Sequence, residues 1–260
     1  MAKTSRQVRR VRPNRRLWNL GQRPKRRTHR FGWLRKFPFK LFLGIICLFL
    51  LFEIFTLPLF SIANLDTDNP KITALMQQRI DEAKDQGKVL RIDNRWVSLS
   101  RIPKHVRIAV LVAEDGAFYS HDGVDWHEVW ESLETDLEER RIVRGGSTIT
   151  QQLAKNLYLS TSKDPVRKLK ELLLAWLLEY HMSKKRILEL YLNIIEWGPG
   201  VFGIEAAAQR YFHKPASLLT LEEGARLAAV IPRPLWHRPT DDTRYVNKKT
   251  QLILKRMSIR

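Results

Sequence analysis

One stretch of this 260-residue chain constrains its fold more than any other, an apolar run at residues 41–63 that reads LFLGIICLFLLFEIFTLPLFSIA. Glu53 is the only charged residue in the run. As a helix, a segment of this length would extend about 34 Å, which exceeds the roughly 30 Å hydrocarbon core of a bilayer. Pro58 lies in the outer part of the run, where a helix end or a kink is tolerated. The run therefore predicts one N-terminal transmembrane helix, residues 41–63.

The charges on either side of the run predict its orientation. Residues 1–40 contain 15 Lys and Arg residues and no acidic residue, whereas Lys71 is the only basic residue between positions 64 and 78. The positive-inside rule then places the N-terminus in the cytoplasm and residues 64–260 on the other side of the membrane. A cleavable signal peptide fits less well, because 40 residues precede the run and no small-x-small cleavage site follows it.

The basic charge of the chain belongs mostly to this N-terminal tail, residues 1–40. The whole chain has 46 basic and 27 acidic residues, a formal net charge of +19, but residues 41–260 have 31 and 27. This distribution excludes a uniformly basic nucleic-acid-binding domain. The tail either binds RNA or DNA, or sets the topology and attracts anionic lipid headgroups; we favour the second, since aromatic residues in it are sparse.

Two residues of the apolar run need separate comment. Cys47 is the only cysteine, which excludes an intramolecular disulfide and a cysteine-based zinc site. Glu53 is either a functional carboxylate within the membrane or a contact at a helix–helix or lipid interface. We favour the contact, because the run contains no basic partner.

The rest of the chain predicts a stalk followed by a mainly α-helical domain. Residues 64–94 are polar, with one short amphipathic helix, and residues 95–260 carry dense helical signals. The run Leu172–Leu178 is apolar on all sides but too short to cross a bilayer, so it predicts a fully buried central helix. The helix starts are marked by Asp164-Pro165, by Ser183, and by the capping-box pairs Thr148 with Gln151 and Thr220 with Glu223.

The first group of residues that could carry chemistry is Glu114-Asp115, directly after the apolar run Ile108–Ala113. A carboxylate in that place lies at the edge of the core. Partial desolvation there raises the pKa of a carboxyl group and suits it to general acid or base catalysis. The alternative is an exposed acidic pair, since most acidic residues lie on the surface.

The second group follows two glycines and opens a helix. Ser147 and Thr148 supply hydroxyls beside the free N–H groups of a helix N-terminus, an arrangement that suits an anionic group. Gln151, Gln152 and Lys155 follow at helical spacing, so one face presents amides and an ammonium together. The alternative is a capped surface helix.

The third group is Arg167, Lys168 and Glu171, which lie on one helical face at i, i+1 and i+4. A solvated salt-bridge face is the alternative. However, Glu171 leads directly into the apolar run Leu172–Leu178, and a polar group at the mouth of a buried helix needs partners.

These segments, with two more in the same order, resemble the motifs of the peptidoglycan glycosyltransferase family. That family, glycosyltransferase family 51, comprises lysozyme-like transglycosylases found alone or fused to penicillin-binding transpeptidases. No transpeptidase pattern follows, so the chain resembles the monofunctional members. The matching segments are E-D-x-x-F-x-x-H-x-G from Glu114, G-G-S-T-I-T-Q-Q-L-x-K-N from Gly145, R-K-x-x-E from Arg167, Ile187–Asn193, and Leu221–Ala228.

The resemblance implies a lysozyme-like, mainly α fold and a reaction. Lipid II would be polymerised into β-1,4 glycan strands with inversion and release of polyprenyl pyrophosphate. Glu114 would act as the general base, and Glu171 would lie near the pyrophosphate as the second catalytic residue. The substrate-binding residues would be Ser147, Thr148, Gln151, Gln152, Lys155, Asn156, Lys163, Arg167 and Lys168.

The resemblance also implies partners and a location. No cofactor is expected to be tightly bound, although Mg²⁺ or Mn²⁺ is expected with the substrate pyrophosphate. The expected partners are lipid II, polyprenyl-pyrophosphate-linked glycan, membrane lipids and other cell-wall synthesis or division proteins, but no nucleic acid. The expected location is the bacterial inner (plasma) membrane, with a cytoplasmic N-terminus and a periplasmic catalytic domain.

Two other classes of function compete with this one. A glycoside hydrolase or lytic enzyme would share the fold and a catalytic glutamate, but it would not need the cations between Lys155 and Lys168. A non-enzymatic membrane scaffold would not need Glu114 and Glu171.

Overall fold

The computed structural model describes residues 39–139, 146–162 and 164–259. This part of the chain is mainly helical, as predicted, with three very short strands. The helices are α1 (Phe39–Phe55), α2 (Leu59–Asn64), α3 (Ala74–Asp85), α4 (Lys104–Glu114), α5 (Trp126–Glu139), α6 (Ile149–Tyr158), α7 (Pro165–His181), α8 (Lys184–Ile194), α9 (Ile204–Phe212), α10 (Leu221–Val230) and α11 (Arg244–Met257). The strands are β1 (Asp93–Asn94), β2 (Glu196–Gly198) and β3 (Val201–Phe202).

The apolar run near the N-terminus folds as two helices, α1 and α2, which corrects the single helix predicted for residues 41–63. The break falls before Pro58, which has no N–H to donate and whose ring disfavours a helical residue before it. Ile62 and Leu65 are 1% and 5% exposed and belong to the hydrophobic core. Among the residues described, no helix combines the length and the apolar character that crossing a membrane requires.

The chain divides into two compact units, the first ending at Phe49 and the second beginning at Leu50. In the second unit Glu53 forms an ion pair with Lys170 of α7, and the Lys170 ammonium also donates to Thr56 Oγ1 at 3.1 Å. This geometry supports the second interpretation of Glu53, a contact between helices. The basic partner comes from a helix more than a hundred residues later, so the run itself could not reveal it.

Residues 64–94 pack against the domain instead of standing apart as a stalk. Helix α3 lies against α6, and its Leu75 and Met76 are buried together with Phe202. Arg79 forms an ion pair with the buried Glu196 at 2.9 Å. Strand β1 extends a sheet in the order β1-β3-β2. The amphipathic pattern of α3 therefore finds its apolar partner within this domain.

Side-chain caps fix the helix starts that the sequence predicts. Asp164, Ser183 and Thr148 each accept a hydrogen bond from the backbone N–H three residues later. Thr220 and Glu223 form a complete capping box at the start of α10. In the resulting core, α4 packs against α10 and α11, while α6 packs against α7 and α8. These two groups of helices carry Glu114 and Glu171, respectively.

Helix α7 is buried on one face only, which corrects the fully buried helix predicted for Leu172–Leu178. Leu174 and Leu178 are 0% exposed, but Trp176 is 58% and Tyr180 74% exposed. With 3.6 residues per turn, Trp176 and Tyr180 fall on the outer face, where their rings stack with centroids 6.1 Å apart. An uninterrupted apolar run can therefore form a helix with one buried and one exposed face.

Candidate active site

Glu114 is the last residue of α4, at the point where that helix leaves the core. Gln152 of α6 donates from Nε2 to Glu114 Oε2 at 2.9 Å. The Tyr191 hydroxyl, on the buried face of α8, donates to Gln152 Oε1 at 3.0 Å. Because Tyr191 engages the amide oxygen, the amide nitrogen is held toward the carboxylate. The Glu114 side chain therefore has a fixed orientation with one neutral hydrogen-bond donor.

The pKa of Glu114 is raised above the ordinary value for glutamate, chiefly because burial disfavours the charged carboxylate. The negative charge of Asp115 acts in the same direction. The hydrogen bond from Gln152 and the positive charges of Lys249 and Lys155 oppose it. A carboxyl group with a raised pKa is a stronger base once ionised, which is the property a general base needs.

Asp115, the neighbour of Glu114, has a structural role. It is 3% exposed, and its Oδ2 accepts the backbone N–H of Ile149 at 2.9 Å, at the start of α6. The His121 ring lies with Nε2 3.1 Å from Asp115 Oδ1 and packs edge-on against Phe118. Asp115 therefore holds the N-terminus of α6 against the end of α4, and the adjacent Glu114 faces the cleft.

Glu171 lies on α7 in an environment opposite to that of Glu114. It is 3% exposed, yet both of its oxygens are paired. Arg167 Nη1 donates to Oε2 at 2.6 Å and Lys168 Nζ donates to Oε1 at 2.6 Å. These are the contacts that the spacing of the three residues predicts. Lys168 also donates to Ser147 Oγ at 3.3 Å, which brings the start of α6 to this cluster.

Lys155 of α6 is influenced by the charges of both carboxylates. Burial lowers its pKa, and the charges of Arg167 and Lys168 act in the same direction. The negative charges of Glu171 and Glu114 oppose this shift, so both carboxylates influence one ammonium group. Neighbouring residues of α6 connect to both sides, because Gln152 binds Glu114 and Lys168 donates to Gln151 Oε1 at 3.5 Å. Consecutive residues of α6 thus connect Glu114 with the cluster at Glu171.

Four of the predicted substrate-binding residues differ from the rest of the set, among them Gln151, which is 1% exposed. The Thr148 hydroxyl is buried, donates to Gly123 O at 2.6 Å and accepts the Gln151 N–H, so it builds the start of α6 instead of facing the cleft. Asn156 is also buried, at 7% exposure, on α6. Lys163 lies outside the residues that the structure describes.

Helix α11 brings further residues to Glu114 that the sequence did not predict. The charge of Lys249 lowers the pKa of Glu114, and that of Glu114 raises the pKa of Tyr245. Arg256, one helical repeat further on, lines a cavity of about 460 Å³ together with Glu114. The lysine-rich pattern of α11 is typical of a solvated helix, so it did not indicate residues near Glu114. The i, i+4 spacing of Tyr245 and Lys249 shows only that the two share one face of the helix.

Known proteins resemble this chain over most of its length. The family model described as Transglycosylase matches residues 83–258. The biosynthetic peptidoglycan transglycosylase of Herminiimonas arsenicoxydans is 40% identical over 224 residues, 86% of this chain and 96% of the relative. The protein of that name from Bordetella avium is 42% identical over 87% of this chain and 95% of its own. The one from Nitrosospira multiformis is 44% identical over 73% and 83%. This chain therefore belongs to the transglycosylase family.

Proposed function

We propose that this enzyme is a peptidoglycan transglycosylase that polymerises lipid II into β-1,4 glycan strands and releases polyprenyl pyrophosphate. Its relatives carry the name of the activity, and the cleft supplies the two chemical functions that such a transfer needs. One is a base for a sugar hydroxyl, and the other is a set of cations for a departing diphosphate.

Glu114 is the general base in this proposal. As the acceptor 4-hydroxyl oxygen bonds to the donor anomeric carbon, its proton passes to the Glu114 carboxylate. The bond from that carbon to the diphosphate oxygen breaks, and its electron pair leaves with the diphosphate. Attack from the face opposite the leaving group converts an α-linked donor into a β-linked product. Gln152 keeps the carboxylate oriented, with Tyr191 holding the amide.

Lys155, Arg167 and Lys168 receive the negative charge of the diphosphate, with Ser147 and Gln151 beside them. Stabilisation of developing charge by groups already in place is the largest contribution that enzymes make to such reactions. Glu171 holds Arg167 and Lys168 in position through its two ion pairs. Without it, three cations would repel one another when the cleft is empty.

A divalent cation held by the protein does not fit this cluster. Both oxygens of Glu171 are taken by Arg167 and Lys168, and the other groups facing the diphosphate are cations or neutral. We therefore propose that Mg²⁺ or Mn²⁺ enters only together with the substrate pyrophosphate.

We further propose that the N-terminal segment anchors the enzyme to the bacterial inner membrane, with the N-terminus cytoplasmic and the catalytic domain periplasmic. The large apolar side chains of α1 support an environment of lipid, since Leu48, Phe52 and Phe55 are 62% to 87% exposed. In this proposal the lipid contact ends before α2, since Ile62 is buried in the core. Confinement beside the membrane would raise the rate of encounter with a lipid-linked substrate.

The observation that carries the proposal is the set of contacts that α6 makes with both glutamate sites: Gln152 binds Glu114, and Gln151 binds Lys168, the partner of Glu171. The test is incubation of the full-length protein with lipid II, followed by separation of the products. Wild type should form glycan strands, and Glu114→Gln should form none while its circular dichroism spectrum stays unchanged. Near-normal polymerisation by Glu114→Gln would refute the role of Glu114.

The same assay separates this function from its closest rival. A glycan-cleaving enzyme would shorten purified peptidoglycan strands and leave lipid II untouched. We expect the reverse, because Lys155, Arg167 and Lys168 suit a charged leaving group and serve no purpose in breaking a bond between neutral sugars.

A further inference from the structure

A turn between α10 and α11 exposes Trp236 more than any other tryptophan in the described part of the chain. Its side chain is 81% exposed, compared with 58% for Trp176, which stacks on Tyr180. A large aromatic ring left in water forgoes a sizeable burial free energy. An exposed tryptophan therefore needs an explanation, particularly where the backbone holds it in place.

The backbone around Trp236 is held firmly. The N–H groups of Trp236 and His237 both donate to Arg233 O, at 3.1 and 3.2 Å. Arg226 donates to Pro239 O at 2.6 Å and to Asp241 O at 2.7 Å, which closes the end of the turn. Prolines at 232, 234 and 239 restrict the backbone further. Trp236 is therefore exposed on a preorganised turn and not on a frayed segment.

Trp236 borders a cavity of about 570 Å³ that combines apolar and cationic groups. Leu235 and two prolines supply apolar surface, and Arg79, Arg233 and His237 supply hydrogen-bond donors. Binding sites for small polar molecules commonly have this composition, an apolar wall with a few directed polar groups. The cavity is lined by Arg79, Pro232, Arg233, Pro234, Leu235, Trp236 and His237.

The turn that carries Trp236 contacts α11, the helix that packs against α4, whose last residue is Glu114. His237 stacks on Tyr245 of α11 with centroids 4.2 Å apart and an interplanar angle of 15°, and the Arg233 guanidinium lies 5.8 Å from the same ring. Lys249 Nζ is also 5.8 Å from the Tyr245 centroid. The turn is therefore attached to the helix that borders the end of α4.

We infer that the turn carrying Trp236 is a saccharide subsite, in which the indole face packs against a pyranose ring of the glycan strand. This inference rests on the proposed function, which supplies the glycan. The carbon-bound hydrogens of a pyranose form an apolar face that matches an indole, and its hydroxyls lie at the rim. Arg233 and His237 are placed to bind those hydroxyls or a carboxylate on the sugar.

The experiment measures binding of a lipid-free ligand, so it does not depend on turnover. A tetrasaccharide of alternating N-acetylglucosamine and N-acetylmuramic acid, without lipid or diphosphate, is titrated into the full-length protein in detergent by calorimetry. We expect Trp236→Ala to weaken binding about tenfold and Trp236→Phe to retain most of it. The control Trp176→Ala removes an exposed tryptophan from α7 and should bind as wild type does.

Three outcomes would overturn the inference. The tetrasaccharide fails to bind wild type, or Trp236→Ala binds it as well as wild type does, or Trp236→Ala instead lowers partitioning onto anionic vesicles, which would make Trp236 a lipid contact. Polymerisation of lipid II is measured on the same samples. Loss of tetrasaccharide binding by the variant beside an inactive wild type would refute the proposed function and leave the sugar site standing.

Discussion

Two glutamates are connected through helix α6, and their surroundings are opposite. Glu114 has a single neutral donor, the Gln152 amide, and burial raises its pKa. Glu171 is as buried as a core residue but is paired with Arg167 and Lys168 at 2.6 Å each. Glu114, which accepts from a neutral amide, is suited to accept a proton. Glu171, which is paired with two cations, is suited to hold them in position.

Helix α6 contributes contacts to both environments. It presents the Gln152 amide to Glu114 and the Gln151 side chain to Lys168, and Ser147, just before the helix, also contacts Lys168. A carboxylate that accepts from a neutral amide suits proton transfer, and a carboxylate paired with two cations suits their positioning.

Substitution of Glu171 should damage the diphosphate end most. In Glu171→Gln, the two cations lose their shared anion and no longer hold a fixed position, and the pKa of Lys155 should fall further because Glu171 raises it. We expect the rate of lipid II polymerisation to fall by about 100-fold or more, the usual scale for loss of preorganised charge stabilisation.

Glu179→Gln is the matched control for this variant. Glu179 lies on the same helix, is nearly buried and pairs with Lys184 at 2.7 Å, but it lies outside the cleft. Equal losses of activity in Glu171→Gln and Glu179→Gln would show that any broken ion pair on α7 has the same effect, and the special role of Glu171 would be lost.

Lys155→Met should have the next largest effect. It removes one of three cations and keeps an apolar side chain of similar length, so we expect polymerisation to slow by about 10- to 100-fold. The control is Lys184→Met, which removes a part-buried ammonium away from the cleft. Similar rates for the two variants would contradict a role for Lys155 in receiving the diphosphate.

The smallest expected effect is a gain in stability at the Glu114 end. Because the folded-state pKa of Glu114 is raised, the ionised carboxylate destabilises the fold. This destabilisation is absent at a pH below the pKa that Glu114 has in the unfolded chain. It grows as the pH rises toward the pKa in the folded protein and is complete above that value. Glu114→Gln should therefore melt about 2–4 °C higher than wild type at neutral pH, the effect of about 1 kcal/mol in a domain of this size.

A melting scan against pH checks this assignment. The difference between Glu114→Gln and wild type should shrink as the pH falls into the acid range, where Glu114 is protonated in both states. The exposed Glu222→Gln should show no such difference. A variant Glu114→Gln that melts below wild type at neutral pH would mean that the carboxylate makes a stabilising contact.

Local signals in the sequence predicted the helix starts and the cluster at Glu171. Caps at Asp164, Ser183 and Thr220 act within three residues, and the contacts of Glu171 with Arg167 and Lys168 act within four. Such interactions depend only on helical spacing, which the order of residues determines. The expectation that Glu114 is the general base came from the family resemblance, and its hydrogen bond with Gln152 of α6 was not predicted.

Contacts between distant segments could not be predicted in the same way. The partner of Glu53 is Lys170, and the partners of Arg79 include Glu196, each more than a hundred residues away. The run Leu172–Leu178 concealed an exposed face, because apolar letters do not show which side meets the core. Helix α11 reached Glu114 by packing against α4, a contact that no motif records.

The most direct test of the account is the pH dependence of kcat/KM for lipid II, whose acid limb reports the pKa of the essential base in the free enzyme. Wild type should show an acid limb above the ordinary glutamate pKa of about 4.3. Because the charge of Lys249 lowers the pKa of Glu114, Lys249→Met should move that limb to higher pH, and Lys248→Met, which removes an exposed neighbouring charge, should not. An acid limb that stays in place in Lys249→Met would contradict the assignment of Glu114 as the base.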